Sequence, residues 1–229
     1  MNIQGLQKMT LLDFPGRVAC TVFLSGCDFR CPFCHNGELL DGTAETLMTD
    51  RELLAFLEKR KGLLDGVAFT GGEPTLRPDL PALMAEIRAM GFAVKLDTNG
   101  NHPDALRRIL GEGLADYVAM DVKNSPERYG ETIGIPDFDV SNIEKSLTLL
   151  KMSGVDYELR TTVVKEFHDE DSFRDIGPWI TGAKRYFLQC FTDRESVPFQ
   201  GLHAPEKVEL ERFADSVRPY VREVSLRGI

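Results

Sequence analysis

Between residues 17 and 226 the chain alternates short β-rich apolar runs with amphipathic stretches of helical spacing. Six runs read as strands: 17–24 (RVACTVFL), 65–70 (DGVAFT), 92–97 (FAVKLD), 116–123 (DYVAMDVK), 155–163 (VDYELRTTV) and 184–191 (KRYFLQCF). Helical spacing over 49–60 puts Leu53, Leu54 and Leu57 on one face, with Thr49 and Glu52 in capping-box register. Over 79–90 an apolar stripe (Leu80, Leu83, Met84, Ile87, Met90) ends at Gly91. Pro103 opens a short helix over 103–110. Ser141 and Glu144 repeat the capping-box spacing at the head of 141–152, and Gly154 ends that helix. Phe173, Ile176, Trp179 and Ile180 mark 171–180, a last helix spans 205–217, and 221–226 reads as one more short strand. Strand-then-helix units in unbroken succession require parallel strands joined by right-handed crossovers. The longest irregular stretches are 27–48, 124–140 and 192–204, and no Ser/Gly/Pro-rich linker splits the chain. The expectation is an α/β fold in a single domain, 1–229: an N-terminal extension (1–16), a core (17–191), and a C-terminal loop and helix (192–229).

Composition narrows the function. Hydrophobic residues make up 42% and charged residues 28%, an ordinary globular balance. The net charge is −9 and no Lys/Arg run occurs, which argues against a nucleic-acid partner. No apolar run approaches the roughly 18 residues of a membrane span, so no membrane partner is expected. Met1-Asn2-Ile3-Gln4-Gly5 is not a charged and then apolar leader. The expected location is the cytoplasm, where thiols stay reduced. Five cysteines, three of them clustered, then favour a metal over a disulfide framework.

The strand ends are polar where packing does not require it. The second strand runs into Thr70-Gly71-Gly72-Glu73-Pro74 and the third into Asp97-Thr98-Asn99-Gly100. The fourth ends at Asp121-Val122-Lys123 and the fifth at Arg160-Thr161-Thr162. In a β/α barrel these ends share one face, where active sites lie. The first strand leads into Cys27-Asp28-Phe29-Arg30-Cys31-Pro32-Phe33-Cys34. Three thiolates can hold three corners of a four-iron cluster, leaving the fourth iron open to a ligand. A zinc knot of Cys27, Cys31, Cys34 and His35 is the competing reading, but adjacent Cys34 and His35 would strain a tetrahedron.

The C-x3-C-x-F-C pattern at Cys27, Cys31, Phe33 and Cys34 resembles the signature of the radical S-adenosylmethionine (radical SAM) superfamily. That resemblance implies a partial (β/α)6 barrel, one [4Fe-4S] cluster per chain and S-adenosyl-L-methionine. It implies that an electron from the cluster breaks the sulfonium C–S bond, giving methionine and a 5′-deoxyadenosyl radical that takes hydrogen from a substrate. Gly71-Gly72-Glu73-Pro74 resembles the turn that meets the methionine amino group. The Asp97-Thr98-Asn99 and Asp121-x-Lys123 stretches are similar to those of a narrower group, the activating enzymes of glycyl-radical enzymes. The likeness assigns cofactor contacts to Phe33, His35, Gly71, Gly72, Glu73, Asp97, Asn99, Asp121, Lys123 and Arg160. It assigns a monovalent-cation site to Asp97, Thr98, the Met120 carbonyl and Asp121. No catalytic side chain is expected beyond the cluster and the bound cofactor.

The opening 5–16 stretch (GLQKMTLLDFPG) also resembles the start of these activases, and the likeness runs to about residue 191. Within the group it is most similar to activating proteins of anaerobic ribonucleoside-triphosphate reductase. The implied partners are a glycyl-radical enzyme as substrate and flavodoxin or ferredoxin as electron donor. The alternatives are a radical enzyme acting on a small molecule, as in deazapurine synthesis, and a non-enzymatic zinc module. The sixth strand departs from related activases: Phe187-Leu188-Gln189-Cys190-Phe191 lacks a histidine, and Gln189 is the candidate replacement. Cys20 is read as a core residue. Cys190 is either a packing residue or a reactive thiol, and His102, His168 and His203 are assigned no role.

Overall fold

The computed structural model describes residues 1–229. Its elements in chain order are β1 (Asn2–Ile3), β2 (Gly5–Thr10), β3 (Ala19–Leu24), β4 (Met48–Thr49), α1 (Asp50–Glu58), β5 (Gly66–Gly71), α2 (Leu80–Ala89), β6 (Ala93–Thr98), α3 (Pro103–Gly111) and β7 (Tyr117–Asp121). There follow α4 (Tyr129–Ile133), α5 (Ser141–Met152), β8 (Asp156–Val163), α6 (Glu170–Trp179), β9 (Arg185–Cys190), α7 (Lys207–Val217) and β10 (Glu223–Arg227). The sheet order is β10-β9-β8-β7-β6-β5-β3-β2. From β3 to β10 all pairings are parallel. Because this order never reverses, right-handed crossovers stack every helix on one face, and the sheet curls around the other. The result is an α/β fold with the expected parallel barrel wall, open between the unpaired edges β2 and β10.

Strand alternation sorts the side chains. Val94, Leu96, Val118, Met120, Tyr157 and Leu159 join the main apolar core beneath the helices. Lys95, Asp97, Tyr117, Glu158 and Arg160 take the opposite parity and form a polar interior. Low in that interior, the Tyr117 hydroxyl donates to Glu158 at 2.7 Å. Arg227, on β10, grips the same carboxylate with two N–H groups at 2.7 and 2.9 Å.

The expected short strand at 221–226 forms as β10, parallel to β9, and the structure differs from the sequence reading in three places. Residues 1–16 are not an appendage: β2 pairs antiparallel with β3, and β1 pairs with β4. The 124–140 stretch is not irregular throughout, because it folds into a 3₁₀ turn (Pro126–Arg128) and α4. The Ser141/Glu144 capping box does not form. Asp139, two residues upstream, takes both the Ser141 amide and its hydroxyl at 2.9 Å. The Thr49/Glu52 box, by contrast, is present. No helix is long and apolar enough to cross a membrane.

Candidate metal and cofactor centre

The loop after β3 carries all three clustered cysteines to the C-terminal mouth of the barrel. Two backbone hydrogen bonds fasten the Gly71–Glu73 turn to the start of that loop. Gly72 N–H donates to the Leu24 carbonyl at 2.7 Å, and Glu73 N–H donates to the Gly26 carbonyl at 2.8 Å. This contact is why both glycines are required. Gly71 has φ +118°, and a Cβ there would lie 2.3 Å from the Leu24 carbonyl oxygen. A Cβ on Gly72 would lie 2.2 Å from that of Gly26. Asn36, just past Cys34, closes the same corner by donating to the Gly71 carbonyl at 2.9 Å.

Cys27, Cys31 and Cys34 line one cavity of about 410 Å³ together with Phe33, His35, Gly71, Gly72 and the strand-end polar groups. All three thiols are free. Burial pushes the Cys27 thiol up to about 12 and Cys31 to about 11, and raises Cys34 as well. Cys31 is buried and Cys27 and Cys34 are half-buried, and three such thiols facing one cavity, with pKa values raised by burial, ionise there when cationic metal takes them as ligands. The donor set therefore fits an iron–sulfur cluster. It does not fit the zinc knot. His35 Nε2 lies 2.7 Å from the Thr192 carbonyl and its ring stacks on Phe191, and no three His, Cys, Asp or Glu side chains converge on one ion.

The opposite wall is charged. Asp97 faces Lys95 and, at 3.2 Å, Arg160. Asp121 accepts from Lys123 at 2.8 Å and from Arg160 at 2.9 Å. Burial opposes both carboxylates, but the Arg160 guanidinium, with Lys95 and Lys123, holds both well below the usual carboxylate range. Those same carboxylates outweigh burial at Lys123 and Arg160 and raise both. Arg160 is no surface residue, at 15% exposure. Of the residues expected at the cation site, Asp97 and Asp121 are thus already ion-paired, and Thr98 donates to Glu73 at 2.8 Å. Met120 sits opposite Thr98 in the ladder.

Glu73 is placed differently from the rest. Its carboxylate is buried behind the cavity wall, where it accepts from Thr75 N–H at 3.0 Å, Thr98 Oγ at 2.8 Å and Asn99 N–H at 2.6 Å. Burial raises its pKa. It welds the glycine turn to the Asp97–Asn99 strand end, and the cavity surface at this turn comes from Gly71 and Gly72. Phe33 lines the cavity and rests on Phe167. Gln189 lines it too, whereas the Cys190 thiol lies 3.8 Å from the Pro205 carbonyl.

Sequence reasoning missed three features. Lys95, 2% exposed, ion-pairs with Asp97 from the same face of β6. A lysine two positions before an aspartate in an otherwise apolar run was the available signal. Asp28, inside the cysteine loop, accepts from Asn99 at 2.8 Å and Asn101 at 2.6 Å, and His102 Nε2 lies 3.0 Å away. Burial works against this carboxylate, but the His102, Asn101 and Asn99 contacts bring its pKa down to about 2. His102 thus has a structural partner, and so does His168, buried with Nε2 2.8 Å from the Lys123 carbonyl and lowered by burial to about 4. Nothing in the local sequence marks either contact.

Comparison with known proteins identifies the family. A match to a provisionally assigned glycyl-radical enzyme activating enzyme of Methanocaldococcus jannaschii runs over 99% of this chain and 96% of that one at 30% identity. The pyruvate formate-lyase-activating enzyme of Clostridium pasteurianum matches 54% of this chain and 52% of its own length at 32% identity. A 7-carboxy-7-deazaguanine synthase of Thermococcus kodakarensis matches 51% and 53% at 27% identity. With these two relatives the chain shares about half the length. The fold is also that of SuiB from Streptococcus suis, solved with S-adenosylmethionine bound: TM-score 0.70 at 13% identity, over 91% of this chain and 52% of that one. Members of the superfamily use a [4Fe-4S] cluster and S-adenosylmethionine. Residues 21–175 match the Radical SAM superfamily as a whole, and the chain belongs to it.

Proposed function

We propose that this protein activates a glycyl-radical enzyme by removing a hydrogen atom from a backbone glycine of its partner. The observation that carries this reading is the match to the Methanocaldococcus jannaschii protein, because it runs end to end through both chains. When bound, the cluster and S-adenosylmethionine supply the electron and the organic radical. The protein's own residues bind and orient. Cys27, Cys31 and Cys34 hold three irons. The Gly71–Gly72 backbone meets the amino-acid end of the cofactor, with Glu73 fixing that turn from behind. Asp97, Asn99, Asp121, Lys123 and Arg160 take the nucleoside end, with Phe33 and the His35 backbone beside the adenine. A monovalent cation at Asp97, Thr98, the Met120 carbonyl and Asp121 belongs to the same reading, and there it has to displace Lys95 or Arg160. The gap between β2 and β10 is the entry for a partner loop, and neither a general acid nor a general base is needed. The partner we assign is anaerobic ribonucleoside-triphosphate reductase, with flavodoxin or ferredoxin as donor.

The test is anaerobic reconstitution, followed by electron paramagnetic resonance of the reductase polypeptide after incubation with reductant and S-adenosylmethionine. The expected result is a glycyl radical on the reductase, with about four irons per activase chain. Cys27→Ala should abolish both. Half-length matches such as the deazaguanine synthase favour a second reading, a small-molecule substrate. Turnover of a metabolite with no radical on any glycyl-radical polypeptide would establish it and overturn activation.

A further inference from the structure

The carboxylates expected to hold a monovalent cation are already neutralised from within the chain. Lys95 and Asp97 stand two positions apart on β6, so the pleat puts both side chains on the inner face of the sheet. The Lys95 ammonium pairs with Asp97 and with no other carboxylate. Arg160 reaches Asp97 at 3.2 Å and Asp121 at 2.9 Å, and Lys123 holds Asp121 at 2.8 Å. Three cations, Lys95, Lys123 and Arg160, thus face two carboxylates. The Thr98 hydroxyl is engaged as well: it donates to Glu73 at 2.8 Å and accepts from Gly100 N–H at 3.1 Å. These residues, as they stand, do not fit a monovalent metal ion.

A metal ion at Asp97 would add to a positive charge already in excess, and it would push the Lys95 ammonium away. That ammonium has no second carboxylate to go to. Tyr117, its partner across the ladder, donates to Glu158, and Arg227 takes both oxygens of that carboxylate at 2.7 and 2.9 Å. Lys95 is 2% exposed, so a displaced ammonium would stay buried and unpaired instead of returning to water. The side chain is also tethered. The strand keeps it beside Asp97 at an effective concentration that a free ion must exceed.

We infer that the Lys95 ammonium is the built-in cation of this site and competes there against sodium and potassium ions. On the proposed function this is where a monovalent cation would sit, and Lys95 makes its own displacement an uphill competition. The positive charge that steadies Asp97 beside the cofactor then comes from the chain itself. Lys95 is a positioning residue: it acts through the Asp97 carboxylate.

The experiment is thermal unfolding of the full-length protein before cluster loading. Sodium or potassium chloride is compared with N-methylglucamine chloride at equal ionic strength. The wild-type protein should melt at the same temperature in all three salts. Lys95→Met keeps the length of the side chain and removes the charge. Its melting temperature in N-methylglucamine chloride should fall by roughly 5 °C, and sodium or potassium should restore part of that loss in a saturable way. Lys95→Arg keeps the charge and should ignore the identity of the salt, as wild type does. A saturable, ion-specific rise in the wild-type melting temperature would overturn the inference, and so would a folded Lys95→Met protein that responds to neither ion. If Lys95→Met does not fold, wild type and Lys95→Arg decide: no ion-specific shift in either supports the built-in cation, and a saturable shift in either refutes it. Failure to activate any glycyl-radical partner would defeat the proposed function and leave these melting temperatures standing.

Discussion

The two walls of the cavity are built from different forces. The wall formed by the cysteine loop and the glycine turn is held by backbone: Gly72 and Glu73 N–H groups on Leu24 and Gly26, with Asn36 on the Gly71 carbonyl. Its functional side chains are neutral thiols raised by burial. The wall formed by β6, β7 and β8 is held by charge, with Lys95, Asp97, Asp121, Lys123 and Arg160 alternating in sign. On the function proposed above, the difference follows from what each must meet. A cluster brings its own positive charge, so thiols can stay protonated until it arrives, and the wall needs only shape. S-adenosylmethionine carries a cation, an ammonium and a carboxylate, and fixed charges must stand ready for it.

The charged wall should therefore break more easily through a side chain. Asp121→Asn removes the anion between Lys123 and Arg160 and leaves two inward-facing cations poorly compensated. The expected loss is about 3 kcal/mol of stability, the scale for breaking a largely buried ion pair from one side. Weakened S-adenosylmethionine binding should accompany it, while iron content stays at the wild-type level. Chemical denaturation, cofactor titration and iron assay read the three quantities. Equal loss of iron would show that the walls are not independent.

Asp28 joins the two walls, reaching from the cysteine loop to Asn99, Asn101 and His102. Its pKa falls from 3.8 unfolded to about 2 folded. A depressed carboxyl contributes stability that is full above the unfolded value and disappears as pH falls through the folded one. The protein before cluster loading should thus lose about 2 kcal/mol between roughly pH 4 and 2 on account of this group. His102 has the opposite sign: its pKa is raised, chiefly by Asp28, so its share is full below 6.5 and fades as pH rises through the raised value. Asp28→Asn should flatten the acid limb of a stability–pH curve and remove the His102 slope with it. Retention of both slopes would rule out Asp28 as the joint.

How much of this was legible beforehand divides along the same line. The strand-and-helix alternation and the polar strand ends sit in the sequence as periodicity and position, so β3, β5 to β9 and the positions of Cys27, Gly72, Asp97, Asp121 and Arg160 could be read directly. β2 could not, because an antiparallel edge strand ahead of the first unit has no following helix to mark it, whereas β10 showed as the short 221–226 run. Glu73 was readable as a carboxylate at the site but not as one turned inward, since its partners Thr98 and Asn99 lie a strand away. The Asp28–His102 pair spans 74 positions and leaves no local pattern. Tyr129 fell in a stretch read as loop, where a short helix is built by contacts with the cysteine loop rather than by periodicity.

The smallest effect tests the backbone wall. Asn36→Ala deletes the hydrogen bond to the Gly71 carbonyl and leaves the Gly72 and Glu73 amide bonds in place. One such bond contributes about 1 kcal/mol net. If the wall is held by backbone, the loss should be about that, seen as a modest fall in the denaturation midpoint with an unchanged denaturant slope. Iron uptake should be nearly normal, because the cysteines reach the cavity without Asn36. A much larger loss, or failure to take up iron, would mean that a side chain holds this corner after all. The two walls would then differ in the sign of their groups but not in the kind of force that sets them.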